Sequence, residues 1–141
     1  MGSYQSLSKI NYEDVINLLN TNSPNNVILL NTLNDKNQHC LIINTLHYTE
    51  EETIINKSIN DNKSILVVIY GMNYSDETIY IKYNQLLKLG FTNVYIYPGG
   101  MFEWLLLQDI YGDEMFKTTS KELDILIYKP LNAFTKKIDI H

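Results

Sequence analysis

Four short apolar runs, Val27-Ile28-Leu29-Leu30, Leu41-Ile42-Ile43, Ile65-Leu66-Val67-Val68-Ile69-Tyr70 and Val94-Tyr95-Ile96-Tyr97, constrain this chain more than any other feature. None alternates apolar with polar residues, so each reads as a strand covered on both faces, the condition of a parallel sheet. Parallel neighbours need crossovers, and the segments before the third and fourth runs are patterned as helices. The first of these carries Thr49-Glu50-Glu51-Glu52, a capping-box pattern, ahead of Ile54, Ile55 and Ile59. The second is capped by Ser75 or a near neighbour, presents Ile79, Tyr83, Leu86, Leu87 and Leu89, and stops at Gly90. A further helix precedes the first run, with Asn11 as N-cap, Glu13 and Asp14 in its first turn, and Val15, Ile16, Leu18 and Leu19 at helical spacing. Strands alternating with helices define an α/β domain with helices on both faces of the sheet.

A chain of 141 residues builds one core without disulfides or metals. Residues 1–9 read as a flexible N-terminal segment. Residues 8–141 read as a single domain with a C-terminal extension from about residue 112, in which Thr119-Ser120-Lys121-Glu122 forms another capping box that starts a short helix before Pro130. The net charge is −5 and the largest basic cluster is Lys136-Lys137, which excludes the electrostatic footprint of a nucleic-acid binder. All 11 basic residues are lysine, so the planar fork that grips phosphates and other oxyanions is missing. The one cysteine, Cys40, cannot form an internal disulfide, no signal peptide is visible, and no apolar run approaches the roughly 20 residues of a membrane span. These features predict a cytoplasmic protein. Met1-Gly2-Ser3-Tyr4-Gln5-Ser6 fits the N-myristoylation pattern at Gly2, which would give reversible membrane attachment; the alternative is a vector remnant or a plain tail. One cysteine and the scattered histidines His39, His47 and His141 offer no metal-ligand spacing, and no cofactor is expected.

The stretch Gly90-Phe91-Thr92-Asn93-Val94-Tyr95-Ile96-Tyr97-Pro98-Gly99-Gly100-Met101-Phe102-Glu103-Trp104 reads as strand, glycine-pair turn and aromatic-anchored helix. Gly99 and Gly100 permit backbone angles closed to other residues, and Trp104 can pack back on the sheet. This segment resembles the closing motif of rhodanese-like domains, and the resemblance extends from about Ser8 to Tyr111. Ser8 to Leu19 is similar to the family's opening strand and helix. Leu29-Leu30-Asn31-Thr32-Leu33 stands where the family has an apolar pair and Asp-x-Arg, and Gln38-His39-Cys40 with Ile43-Asn44 resembles a shortened Gly-His-Ile and Ile-Asn run. The resemblance implies a three-layer domain around a mostly parallel sheet of about five strands. Gly90, Gly99, Gly100 and Trp104 then belong to the frame.

In an active sulfurtransferase of that family a cysteine follows the third strand, and loop amides with an arginine stabilise its thiolate and persulfide. Here the loop is Gly71-Met72-Asn73-Tyr74-Ser75-Asp76-Glu77. The nucleophile's place falls at Gly71, or nearer Asn73 or Tyr74, and none is cysteine. Asp76 and Glu77 are expected in the first helical turn, where they satisfy its dipole and repel an incoming anion. Ser75 lacks an adjacent base. The leading expectation is an inactive rhodanese-like domain that binds a protein partner through Met72, Asn73, Tyr74, Met101 and Phe102, side chains of the type found at protein contacts. The alternative is a sulfurtransferase that uses Cys40, which otherwise reads as a small buried hydrophobe. A phosphatase-like activity is weaker, because it too needs the cysteine and arginine.

Overall fold

The computed structural model describes residues 8–21 and 25–134. Gly2 and His141 lie outside the described residues, as do residues 1–7. The elements follow in the order α1 (Tyr12–Thr21), β1 (Val27–Asn31), α2 (Tyr48–Asp61), β2 (Leu66–Tyr70), α3 (Thr78–Lys88), β3 (Val94–Tyr97) and α4 (Gly100–Tyr111), with 3-10 turns at Asp35–Asn37 and Ile125–Tyr128. β2 lies between β1 and β3 and pairs parallel to both, with Leu29 opposite Val68 and Ile69 opposite Ile96. Single parallel bridges add Thr45 beside Leu29 at one edge and Lys9 beside Ile96 at the other. Five segments thus line up across the sheet, although three are full strands among the described residues.

Successive residues of a strand face opposite sides, and the core divides accordingly. Ile28, Leu30, Val67, Ile69, Val94 and Ile96 pack against Ile55 of α2 and Ile79, Tyr83 and Leu86 of α3. Leu29, Val68, Tyr70 and Tyr97 face the other way, toward Val15 of α1 and Met101, Trp104 and Leu105 of α4. Two helices on each face make three layers, as the patterning predicts.

The caps differ in part from expectation. Asn11 and Asp14 exchange reciprocal side-chain to backbone bonds of 3.0 Å at the start of α1, as the N-cap reading requires. α2 is capped by His47, whose Nδ1 accepts from the Thr49 N–H, so the Thr49 capping box does not form and the helix starts one residue earlier than Thr49. Leu41-Ile42-Ile43 is not a strand: Ile42 makes one antiparallel bridge to Thr118, and its N–H donates to the Tyr70 hydroxyl at 3.1 Å. With its backbone groups taken by the segment around residue 118 and by a side chain, the run buries Leu41 and Ile42 without joining the sheet. The capping box at Thr119 also fails, because Glu122 binds His39 and its own Asp124 N–H instead.

Candidate functional site

β2 ends at the buried Tyr70 and delivers the chain into residues 71–77 at the carboxyl end of the central strand, where open parallel sheets place their sites. The first turn of α4 closes on this loop: the Met101 and Phe102 amides donate to the Gly71 and Met72 carbonyls at 2.9 and 2.8 Å. That approach requires glycine at 100, where φ is +67° and a Cβ would stand 2.6 Å from the Gly71 oxygen. Gly99, by contrast, has ordinary helical angles with φ at −59°, so the expected need for special backbone angles holds at Gly100 alone. At 99 a Cβ would meet the Glu103 side chain, whose Oε1 accepts from the Tyr97 hydroxyl at 2.6 Å. Burial, and then that bond, push the Tyr97 hydroxyl pKa up.

Asp76 organises the loop. Its Oδ2 accepts the Met72 N–H at 2.9 Å, and its Oδ1 accepts the Thr78 N–H at 3.0 Å, which caps α3. The Thr78 hydroxyl lies within hydrogen-bond distance of Asp76 Oδ1 and, at 2.7 Å, of Thr32 Oγ1. A Cβ added at Gly71 would sit 2.8 Å from Thr32 Oγ1 and 2.9 Å from the Asp76 carboxyl carbon, with a carboxylate oxygen closer still. The space that a side chain at 71 would take is therefore filled by the Asp76 carboxylate, which already holds the Met72 and Thr78 amides. Neither Asp76 nor Glu77 lies in the first helical turn as expected: α3 starts at Thr78 with Glu77 at its N-cap position, exposed and making no side-chain cap bond, and Asp76 one residue before it.

Of the expected contact residues, Tyr74 is 70% exposed and Met72 and Phe102 are half-buried. Met101 is fully buried in the core and cannot form part of an outer surface. Asn73 is buried too; its Oδ1 accepts from the Ser75 N–H and hydroxyl, and its Nδ2 donates to the Tyr128 carbonyl at 2.9 Å. Ser75 is thus committed to Asn73 rather than capping α3, and the described histidines are engaged elsewhere, His39 with Glu122 and His47 at α2. Among the described residues Ser75 has no histidine partner to act as its base.

Cys40 is wholly buried, with Sγ 3.3 Å from the Ser120 carbonyl, and burial pushes its thiol pKa up. Both changes work against a nucleophilic thiolate. The segment around residue 120 is clamped over it by the His39–Glu122 pair, the Ser120 hydroxyl donating to the His39 carbonyl, and the Leu41–Thr119 bonds.

Sequence reasoning missed the part of the C-terminal extension that completes the site. A hollow of about 630 Å³ is lined by Thr32, Met72 and Asp76 together with Leu126, Ile127 and Leu131. No short motif marks these leucines; only the run Leu123 to Leu131, apolar in a segment without helical spacing, hinted at them.

A three-layer parallel domain with a loop at the carboxyl end of its middle strand and a glycine-gated helix closing on that loop defines a class of protein, and the comparisons agree with it. Residues 20–107 match the rhodanese-like domain family, and the chain belongs to that family. It is similar in fold to the BH2092 protein from Bacillus halodurans (TM-score 0.60, 12% identity, 96% of this chain and 93% of that one). It is similar also to the Alr3790 protein from Anabaena sp. (TM-score 0.57, 17% identity, 84% and 97%). A thiosulfate sulfurtransferase from Pseudomonas aeruginosa matches with TM-score 0.58 and 17% identity over 74% of this chain, which spans 20% of that protein. No curated protein matches the chain.

Proposed function

We propose that this chain is a rhodanese-like domain without sulfur-transfer chemistry, residues 8–141 forming one domain that acts in the cytoplasm as a protein-binding or regulatory module. One observation carries the reading: the Asp76 carboxylate occupies the place beside Gly71 and takes the Met72 and Thr78 amides. A loop already holding an internal anion has little to offer thiosulfate, and the absence of arginine removes the other common means of attracting it. The contact surface in this reading is Tyr74 with Met72 and Phe102, around the hollow walled by the C-terminal segment.

Thiocyanate formation from thiosulfate and cyanide tests the inactive reading, with an active rhodanese as positive control and Cys40→Ser alongside. The expected result is no turnover in either form. Turnover lost in Cys40→Ser would make the protein an enzyme acting through Cys40. For the binding role, Tyr74→Ala with Met72→Ala should release a partner isolated by affinity capture; retention by the double variant would move the contact surface elsewhere.

A further inference from the structure

A second hollow shares no lining residue with the loop and lies between α1 and the end of α4. Its volume is about 430 Å³; Tyr12, Ile16 and Met115 wall it and the buried Phe116 lies beneath, with the Tyr12 and Tyr111 ring centroids 5.8 and 6.4 Å from that of Phe116. Ile16 and Met115 also line a neighbouring hollow of about 310 Å³, so the two hollows meet along these side chains and are treated together as one groove. Tyr111 is 65% and Met115 54% exposed. Tyrosine and methionine at an open groove are the side chains that anchor protein contacts, the first by area at low entropic cost and the second by adaptable shape.

The charge around the groove selects its occupant. α1 carries Glu13 and Asp14 and no lysine; the end of α4 and the following turn carry Asp109, Asp113 and Glu114, with Lys117 as the single base. Glu13 and Glu114 line the groove beside Lys117, and Asp14, Asp109 and Asp113 stand on the same two segments; with a net charge of −5 over the chain, this disfavours a second copy, and disfavours an anionic membrane surface equally. We propose that this groove docks a basic segment of a partner protein, rich in lysine or arginine and carrying apolar side chains that seat between Tyr12, Ile16, Tyr111 and Met115. The proposal does not depend on the loop being inactive. In it the carboxylates steer the segment and set its orientation, while the apolar seat supplies the affinity.

The test uses the full chain and a fluorescein-labelled peptide of lysines and leucines in helical spacing, read by anisotropy. A control peptide keeps every lysine and replaces each leucine by serine. Binding should weaken by about tenfold or more in Tyr111→Ala/Met115→Ala and for the serine control, as expected for loss of anchors. In Glu13→Gln/Glu114→Gln the fall in affinity between about 50 and about 200 mM salt should become shallower, because fewer exposed charges are left to screen. Ile110→Ala, 67% exposed on α4 and outside the groove, should bind as the native chain does. All these positions are exposed, and matched melting temperatures establish that each variant is folded. Equal binding of the serine peptide, undiminished binding by Tyr111→Ala/Met115→Ala, or an equal loss in Ile110→Ala would each overturn the proposal. Dimerisation abolished by the same double variant would assign the groove to a second copy and overturn it also.

Discussion

The exits of β2 and β3 face similar geometric tasks and meet them differently. Each strand is buried, each feeds a helix, and the two lie side by side in register. After β3 the chain enters α4 through Pro98 and Gly99 alone, fixed by Gly100 against the loop carbonyls and by Trp104 against the core. After β2 it spends residues 71–77 in a loop whose polar groups satisfy one another through Asp76 and Asn73. The first exit is a steric solution, and few residues fit it. The second is a hydrogen-bonding solution, and a carboxylate on the chain can meet donors that would otherwise meet an external anion. A frame can thus persist while the polar groups of its loop are paired internally.

The contrast predicts where substitution costs most. Trp104→Ala removes a fully buried indole that packs edge-on to Tyr97 and Phe116, at centroid distances of 6.2 and 5.1 Å, and donates to the Lys117 carbonyl. Denaturant unfolding should show a loss of about 3–5 kcal/mol. Gly100→Ala combines a positive φ with a backbone clash and should cost about 2–3 kcal/mol in the same assay. A smaller loss would mean that the β3 exit tolerates more than sterics suggest.

On the loop side, Asn73→Ala leaves the Tyr128 carbonyl without its donor and should cost about 1–2 kcal/mol. Hydrogen exchange should rise at residues 125–128 as well as in the loop, because that bond ties the two together. Exchange confined to the loop would show that the C-terminal segment holds its place without that bond.

The smallest effect concerns the clamp over Cys40. The bond from His39 holds the Glu122 carboxyl below the usual glutamate range. A depressed folded-state pKa means stability present above the unfolded value, about 4.3, and lost as pH falls through the lower folded value. Glu122→Gln should therefore melt slightly below the native chain at neutral pH, with the difference vanishing in acid; a difference that persists in acid would deny the His39–Glu122 hydrogen bond any part in it.

Much of the frame was legible because its signals are local. Continuous apolar runs, the Asn11 cap and the stop at Gly90, where φ is +101°, each report on a few neighbouring residues. Leu41-Ile42-Ile43 misled because burial and strand pairing are separate properties: the run is apolar enough for a core, while its hydrogen bonds go to Tyr70 and to residues 117–119. Met101 misled for a related reason, since a residue one step past the glycine pair can point into either the core or the loop, and the turn geometry chooses. The missing cysteine and arginine were plain in the sequence. The part played by Asp76 was not, because a carboxylate at a helix start looks the same whether it caps one amide or fills a site. Nor could local patterning show that residues 126–131 return to wall the loop across more than fifty positions of sequence, a placement set by tertiary packing.

With Asp76 filling the space beside Gly71, a thiol placed there must feel the carboxylate. The pH dependence of iodoacetamide alkylation tests it directly, for Gly71→Cys and Gly71→Cys/Asp76→Gly, both in a Cys40→Ser background. With the carboxylate present the new thiol should titrate above its ordinary value of about 8.5, through repulsion and occupied amides; with it removed, the freed Met72 and Thr78 amides should draw the thiol below that value. Equal thiol pKa values in the two folded variants would contradict the account.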